Sequence, residues 1–287
     1  MDELALRNSL NGCRFGNVRV VNKIDSTNRA LTAWAAVGSD DHGQPVADGS
    51  VLIARSQTAG RGRLGRRWIA PVDSALLMSV LVSTSKLALD SWPLVSFAMG
   101  MAVLDALEAS DGPGATSGFG LKWPNDVIID DGTSPTGYRK LAGILAESSM
   151  SGIDTGHVVV GVGVNLIRPA ELDPALGPEA IPTWLNEHVA LPDSETFTAQ
   201  ILRRFETYVH LLSRSSVSFL ELYRPRCRTL HAQVTADLGD RQLHGIATGI
   251  DALGRLIITD PENNVHILSA GDVHHLRPRT LARPTTD

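Results

Sequence analysis

Residues 57–68 read Gln-Thr-Ala-Gly-Arg-Gly-Arg-Leu-Gly-Arg-Arg-Trp, so Gly60, Gly62 and Gly65 alternate with Arg61, Arg63, Arg66 and Arg67, and Trp68 closes the run. Glycine permits positive φ and lets a backbone lie close to a ligand. Arginine presents a planar fork of donors that matches carboxylate and phosphate oxygens. Like charges packed this closely repel unless an anion sits among them. The stretch is therefore read as a mobile anion-binding loop that orders over a charged ligand. It lacks the Gly-Lys-Ser/Thr ending of a Walker A loop and does not match Gly-x-Gly-x-x-Gly.

Further stretches carry polar chemistry. Asp25-Ser26-Thr27-Asn28 supplies short polar side chains that cap a helix. The same hydroxyls and amide suit a small polar ligand at a helix start. In Lys122-Trp123-Pro124-Asn125-Asp126-Val127, the proline keeps Trp123 extended and removes a ladder donor. That breaks the chain between two strands and presents Lys122, Asn125 and Asp126, while Trp123 is read as core packing. Lys140-Leu-Ala-Gly143-Ile-Leu-Ala-Glu147 reads as a strand with a lysine at its mouth. Gly161 and Gly163 in the apolar strand Val158–Asn165 admit close approach of backbone or ligand.

The elements that must hold these residues follow from pattern. The expected strands are Val18–Ile24, Val51–Arg55 and Ser74–Ser83, the last almost wholly apolar and so buried on both faces. Helices are expected over 3–11, from Asn28 to about Val37, from Trp92 to Ala109 with apolar residues at Leu94, Phe97, Met101 and Leu104, around Phe197–Leu212, and over Val217–Tyr223. Residues 38–50, 130–139 and 168–195 read as loops. From His231 the texture changes to short strands at Val234, Gly245–Ile250, Leu256 and Val265–Leu268, separated by turn residues, which suggests a small β-barrel. The tail after Arg277 is polar.

A chain of 287 residues, 43% hydrophobic and 20% charged, can build one large domain and one small one. A net charge of −5 with clustered basic residues argues against general nucleic-acid affinity. Cys13 and Cys227 have no metal spacing and are expected as free thiols in a reducing cytoplasm. The first residues lack the features of a signal peptide, and no apolar run is long enough to cross a bilayer. The histidines show no ligand spacing, so no metal site is expected, and His274-His275 is placed at the end of a barrel strand.

In this order the motifs at 25–28, 57–68, 122–127, 140–147 and 161–165 resemble those of the biotin protein ligase family, over about residues 18–277. The resemblance implies an α/β (α+β) fold, with a mixed-sheet catalytic domain over 1–228 and an SH3-like barrel over 229–287. With no room for a helix-turn-helix domain ahead of Val18, the chain resembles the monofunctional type. The implied reaction joins biotin to ATP as biotinyl-5′-AMP, with Mg²⁺ helping. The biotinyl group then passes to a lysine of a biotin carboxyl carrier domain in an acetyl-CoA, acyl-CoA or pyruvate carboxylase. The implied state is a monomer or weak homodimer.

Carried over by position, Ser26, Thr27, Asn28, Gln57, Gly60, Arg61, Gly62, Arg63, Lys140 and Gly143 match the biotin contacts. Arg63, Arg66, Trp68, Lys122, Asn125, Asn165 and Arg277 match the nucleotide side. Lys140, Arg63, Lys122 and Asp126 are the candidate catalytic residues. Trp184 is a candidate for stacking on adenine. Two other readings stay open: a lipoate ligase or transferase on a related fold, whose families lack this glycine-arginine loop, and a non-catalytic biotin-binding regulator.

Overall fold

The computed structural model describes residues 1–110, 118–134, 136–152, 155–170, 181–238, 241–269 and 272–275. The elements are α1 (Glu3–Ser9), β1 (Asn17–Val21), α2 (Thr27–Val37), β2 (Ser50–Ala54), β3 (Ala75–Ser83), α3 (Leu94–Ser110), β4 (Phe119–Lys122), β5 (Asp126–Asp130), β6 (Tyr138–Gly152) and β7 (Thr155–Asn165). They continue as α4 (Ser194–Arg214), α5 (Ser216–Tyr223), β8 (Gln233–Asp237), β9 (Gln242–Ile250), β10 (Leu256–Thr259), β11 (Val265–Leu268) and β12 (Asp272–His275).

A seven-stranded mixed sheet runs β1-β2-β3-β7-β6-β5-β4, and a five-stranded antiparallel sheet runs β11-β10-β9-β8-β12. Only β1 and β2 pair in parallel within the large sheet.

Side chains alternate between the faces of a strand, and here the alternation separates two environments. Val51 and Ile53 of β2, Met78 and Val80 of β3, and Val158, Val160, Val162 and Val164 of β7 join the large core that includes α3 and α4. Their intervening neighbours Leu52, Leu81 and Val159 meet Leu31 and Trp34 of α2 in a second, small cluster. α2 is short, 11 residues, and ends where Gly38 takes a left-handed φ of 76°. Beyond it no helix among the described residues packs on the second face, and that is where the polar motifs gather.

The elements read from pattern are present with shifted ends. β1 stops at Val21, because Ile24 instead bridges Gln57 alone. β6 is much longer than Lys140–Glu147, since Asp131 and Arg139 clamp the preceding turn at 2.5 Å and pairing begins at Tyr138. Within the expected 168–195 loop, Ile181–Thr183 lies beside β6: Lys140 N–H donates to Ile181 O and Thr183 N–H to Lys140 O, both at 2.9 Å. In the C-terminal sheet β12 pairs with β8 and ends at His275, so His274-His275 closes a strand as expected.

Candidate active site

Strand register lines the site up. Lys122 on β4 lies opposite Asp126 on β5, Asp126 opposite Gly143 on β6, and Gly143 opposite Gly163 on β7. These four form one row across the sheet. Two residues along each strand on the same face, Leu145, Gly161 and Ser79 form the next row.

The first row is cationic at one end and bare at the other. Lys140 Nζ sits 2.6 Å from Asp126 Oδ1, as an ion pair and not an aligned hydrogen bond. Lys122 is 5% exposed and lies 5.4 Å above the Tyr138 ring. Burial pushes its pKa down to about 8, Asp126 works against that, and Lys140 and Arg66 add to it. Gly143 and Gly163 leave a floor on which the Trp68 indole lies: a Cβ at Gly163 would stand 2.4 Å from that ring, and one at Gly143 2.9 Å from it. The Lys140 ammonium is 5.8 Å from the same ring. Trp68 Nε1 is buried and has no acceptor among the described residues.

The second row is a hydrogen-bonded pocket wall. Thr27 N–H donates to Gln57 Oε1 at 2.7 Å, and Thr27 Oγ1 is 3.1 Å from the same oxygen. Ser79 Oγ lies 2.6 Å from Asn28 Oδ1 and 2.8 Å from Thr27 Oγ1. Asn28 Nδ2 donates to Leu145 O and to Glu147 Oε2, each at 3.0 Å. Asn28 fits there because position 161 is glycine, whose Cβ would meet Asn28 Oδ1 at 2.2 Å. Ser26 is buried at the helix start without a side-chain capping bond.

The glycine-arginine stretch folds as a small flap over both rows. Trp68 N–H donates to Gly60 O at 3.0 Å and Gly62 N–H to Arg66 O at 2.8 Å, with Leu64 and Gly65 turning the tip at φ of 55° and 75°. Gly60 must be glycine, since a Cβ would lie 2.3 Å from Trp68 O. Arg61 pairs with Glu147 at 2.9 Å, and Arg63 donates to Asn125 Oδ1 at 3.2 Å. Burial lowers the Arg63 pKa, while Asp126 raises it. Between the flap, the start of α3 and the barrel turn at Gly254 opens a cleft of about 370 Å³, lined by Arg61, Arg63, Phe97, Asn125, Ile144 and Gly254.

Most expected site residues gather in the two rows and the flap; Arg61, Gly62, Arg63 and Asn125 also line the cleft, and Asn165 and Trp184 stand apart from it. Asn165 Nδ2 donates to Thr183 O at 3.1 Å, so its amide anchors the segment beside Lys140. Trp184 is 6% exposed, with the Arg168 guanidinium over its ring at 5.4 Å. Trp123 is core, as expected, with its indole N–H donating to Gly254 O at 2.9 Å. Arg277 lies outside the described residues. Sequence reasoning gave no role to Ser79 or Glu147. A lone serine in the apolar run 75–82 was the signal for the first. The second closed a quoted motif.

Residues 20–165 match the biotin/lipoate A/B protein ligase family model, and residues 231–276 match the biotin protein ligase C terminal domain. The chain is 38% identical to a biotin–[acetyl-CoA-carboxylase] ligase of Mycobacterium tuberculosis, with 96% of each chain covered. It is 32% identical to the corresponding ligase of Paracoccus denitrificans over 77% of this chain and 88% of that one. A biotin protein ligase from Aquifex aeolicus, solved in complex with biotin and ATP, superposes with a TM-score of 0.69 at 25% identity, covering 90% of this chain and 99% of that one. The mixed sheet, its cationic flap and the small antiparallel sheet behind them are thus those of a protein ligase. The chain belongs to the biotin/lipoate A/B protein ligase family.

Proposed function

We propose that this chain activates biotin with ATP and transfers it to a lysine of a biotin carboxyl carrier domain. The observation that carries the reading is the row Lys122–Asp126–Gly143–Gly163 under an arginine flap. It sets cations and a flat glycine floor side by side. A carboxylate and a triphosphate repel, so their coupling needs fixed positive charge in a site shielded from water.

In the first step a biotin carboxylate oxygen bonds to the α-phosphorus. The bond to the bridging oxygen breaks, and pyrophosphate leaves. In the second, the acceptor lysine nitrogen attacks the acyl carbon and AMP leaves with the carboxyl oxygen. Lys140, held by Asp126, stabilises charge on the reacting oxygens. Lys122, Arg66, Asn125 and Trp68 face the nucleotide. Ser26, Thr27, Asn28 and Gln57 shape the biotin end, Gly60, Arg61 and Gly62 cover it, and Arg63 closes over both ligands. ATP enters as its magnesium complex, the ion carried on phosphate oxygens. Among the described residues no group of three or more His, Cys, Asp or Glu side chains gathers to hold a metal, so no step is assigned to a protein-bound ion.

The unit over 1–228 is the catalytic part and 229–287 the barrel that backs it. No helix of the described residues is long and apolar enough to cross a membrane. The free thiols of Cys13 and Cys227 suit a cytoplasmic location. An acetyl-CoA, acyl-CoA or pyruvate carboxylase is the proposed source of the acceptor, and a monomer or weak homodimer the proposed state. The test is incubation with ATP, a carrier domain and either biotin or lipoate, followed by mass spectrometry of the acceptor lysine. Biotinylation is expected. Lipoylation alone, or no pyrophosphate release with biotin, overturns the reading.

A further inference from the structure

The C-terminal barrel reaches into the site through its last described strand. His275 Nε2, at the end of β12, lies 3.0 Å from Thr229 Oγ1. Thr229 is fully buried, and its hydroxyl oxygen accepts the Trp123 N–H at 3.0 Å. Trp123 directly follows Lys122. The His275 ring also meets the Tyr138 ring edge-on at 5.0 Å, and the Lys122 ammonium rests on that same Tyr138 ring. A residue of the small sheet thus touches both supports of Lys122: the backbone after it, by way of Thr229, and the aromatic ring beneath it.

We propose that His275 is a positioning residue for the adenylation step, holding Lys122 against the nucleotide through Thr229 and Tyr138. This rests on the reading above, in which Lys122 faces ATP. The geometry accommodates a neutral ring, since the Thr229 hydroxyl accepts the Trp123 N–H and keeps a hydrogen to give to Nε2. Burial lowers the His275 pKa to about 4, with Lys122 and His274 adding to the effect. The groups that bear on Lys122 are Asp126, Lys140, Arg66 and Cys227, besides the Tyr138 ring it rests on. His275 thus supplies hydrogen bonding and bulk without adding a further cation to Lys140 and Arg66.

The test has two arms on the full chain. In the first, with no substrate present, lysine side chains are isotopically labelled and the Lys122 ammonium is titrated by NMR. Its midpoint is expected to rise by about one unit in His275→Ala and in Thr229→Val, as water reaches it. In the second, pyrophosphate release is followed with ATP and biotin. The same variants are expected to lose about tenfold in kcat/KM for ATP, with KM for biotin unchanged, while His275→Gln stays within about threefold of the parent chain. Should His275→Ala not fold, Thr229→Val and His275→Gln decide the outcome. An unmoved midpoint together with unchanged kcat/KM for ATP in folded variants overturns the proposal, as does a loss in His275→Gln as deep as in His275→Ala. If the parent chain makes no biotinyl adenylate, the functional reading fails, and the titration still decides whether His275 positions Lys122.

Discussion

Lys140 and Gly143 lie on the same face of the large sheet although they are three positions apart, with Leu141 and Ala142 between them. Strict alternation would put them on opposite faces. The register between β5 and β6 slips between Val127 and Ile128: Val127 pairs with Ala142 and Ile128 with Lys140, leaving Leu141 as the extra residue. Leu141 and Ala142 both turn into the core, fully buried. This bulge aims Lys140 at Asp126 and away from the helices.

Lys140→Gln removes the cation but keeps the bulge. Adenylate formation is expected to fall roughly 10²–10³-fold, with the melting temperature little changed. Deleting Leu141 makes the pairing regular and leaves Lys140 two positions from Gly143 on the site face, so activity per folded molecule should be kept while stability falls with the lost core side chain. Pyrophosphate release and thermal denaturation measured on both variants separate the two effects. Activity lost in a deletion variant that still folds would contradict this account of the bulge.

Arg63 closes the flap onto Asn125 from a half-buried position. Arg63→Gly removes this contact and leaves the activated acyl group open to water and to stray amines. Biotinylation of lysines on an unrelated bystander protein is expected to increase, while transfer to the carrier domain falls. Probing the bystander with labelled streptavidin reads the escape directly. Retention of the adenylate as firm as in the parent chain would remove the shielding role.

The Trp68 indole is held flat by the glycines beneath it. A methyl at Gly163 must displace the ring, because the nearest ring carbon would be 2.4 Å away. Gly163→Ala is expected to weaken ATP binding by more than about tenfold, roughly 1.4 kcal/mol. Calorimetric titration with ATP measures it, and a change in indole fluorescence without ligand reports the displaced ring.

How much of this was legible beforehand follows from the physics of each part. The flap, the Lys122–Asp126 break and the Lys140 strand are local in sequence, so their motifs could be read directly. The strands and helices followed from apolar periodicity, apart from their ends. What could not be read was register. The facing of Lys122, Asp126, Gly143 and Gly163 is a pairing across four strands, and nothing local encodes the slip at Leu141. Ser79 looked like one more residue of an apolar strand until Asn28 was found 2.6 Å away. Thr229 and His275 belong to the barrel side of the chain, and their contacts to Trp123 and Tyr138 cross more than a hundred residues.

Lys122 gives the site its pH dependence. Its buried ammonium titrates at about 8 against an ordinary value of 10.5, so between those values the unfolded chain holds more protons than the folded one. Stability contributed by this group therefore rises with pH across that window. Activity runs the other way, because the cation that faces the nucleotide is lost as pH climbs through 8. The expected profile of kcat/KM for ATP falls above about pH 8 while the denaturation midpoint shows no matching loss from this residue. In Lys122→Arg the charge persists, since a guanidinium keeps its proton to about pH 12 or beyond. The variant should be slower overall because the fork is larger than an ammonium, yet its alkaline limb should move up or vanish. Rate profiles of both chains from pH 6 to 10 decide the matter. A limb that stays in place after the exchange belongs to another group, with the acceptor amine and Lys140 the next to be tested.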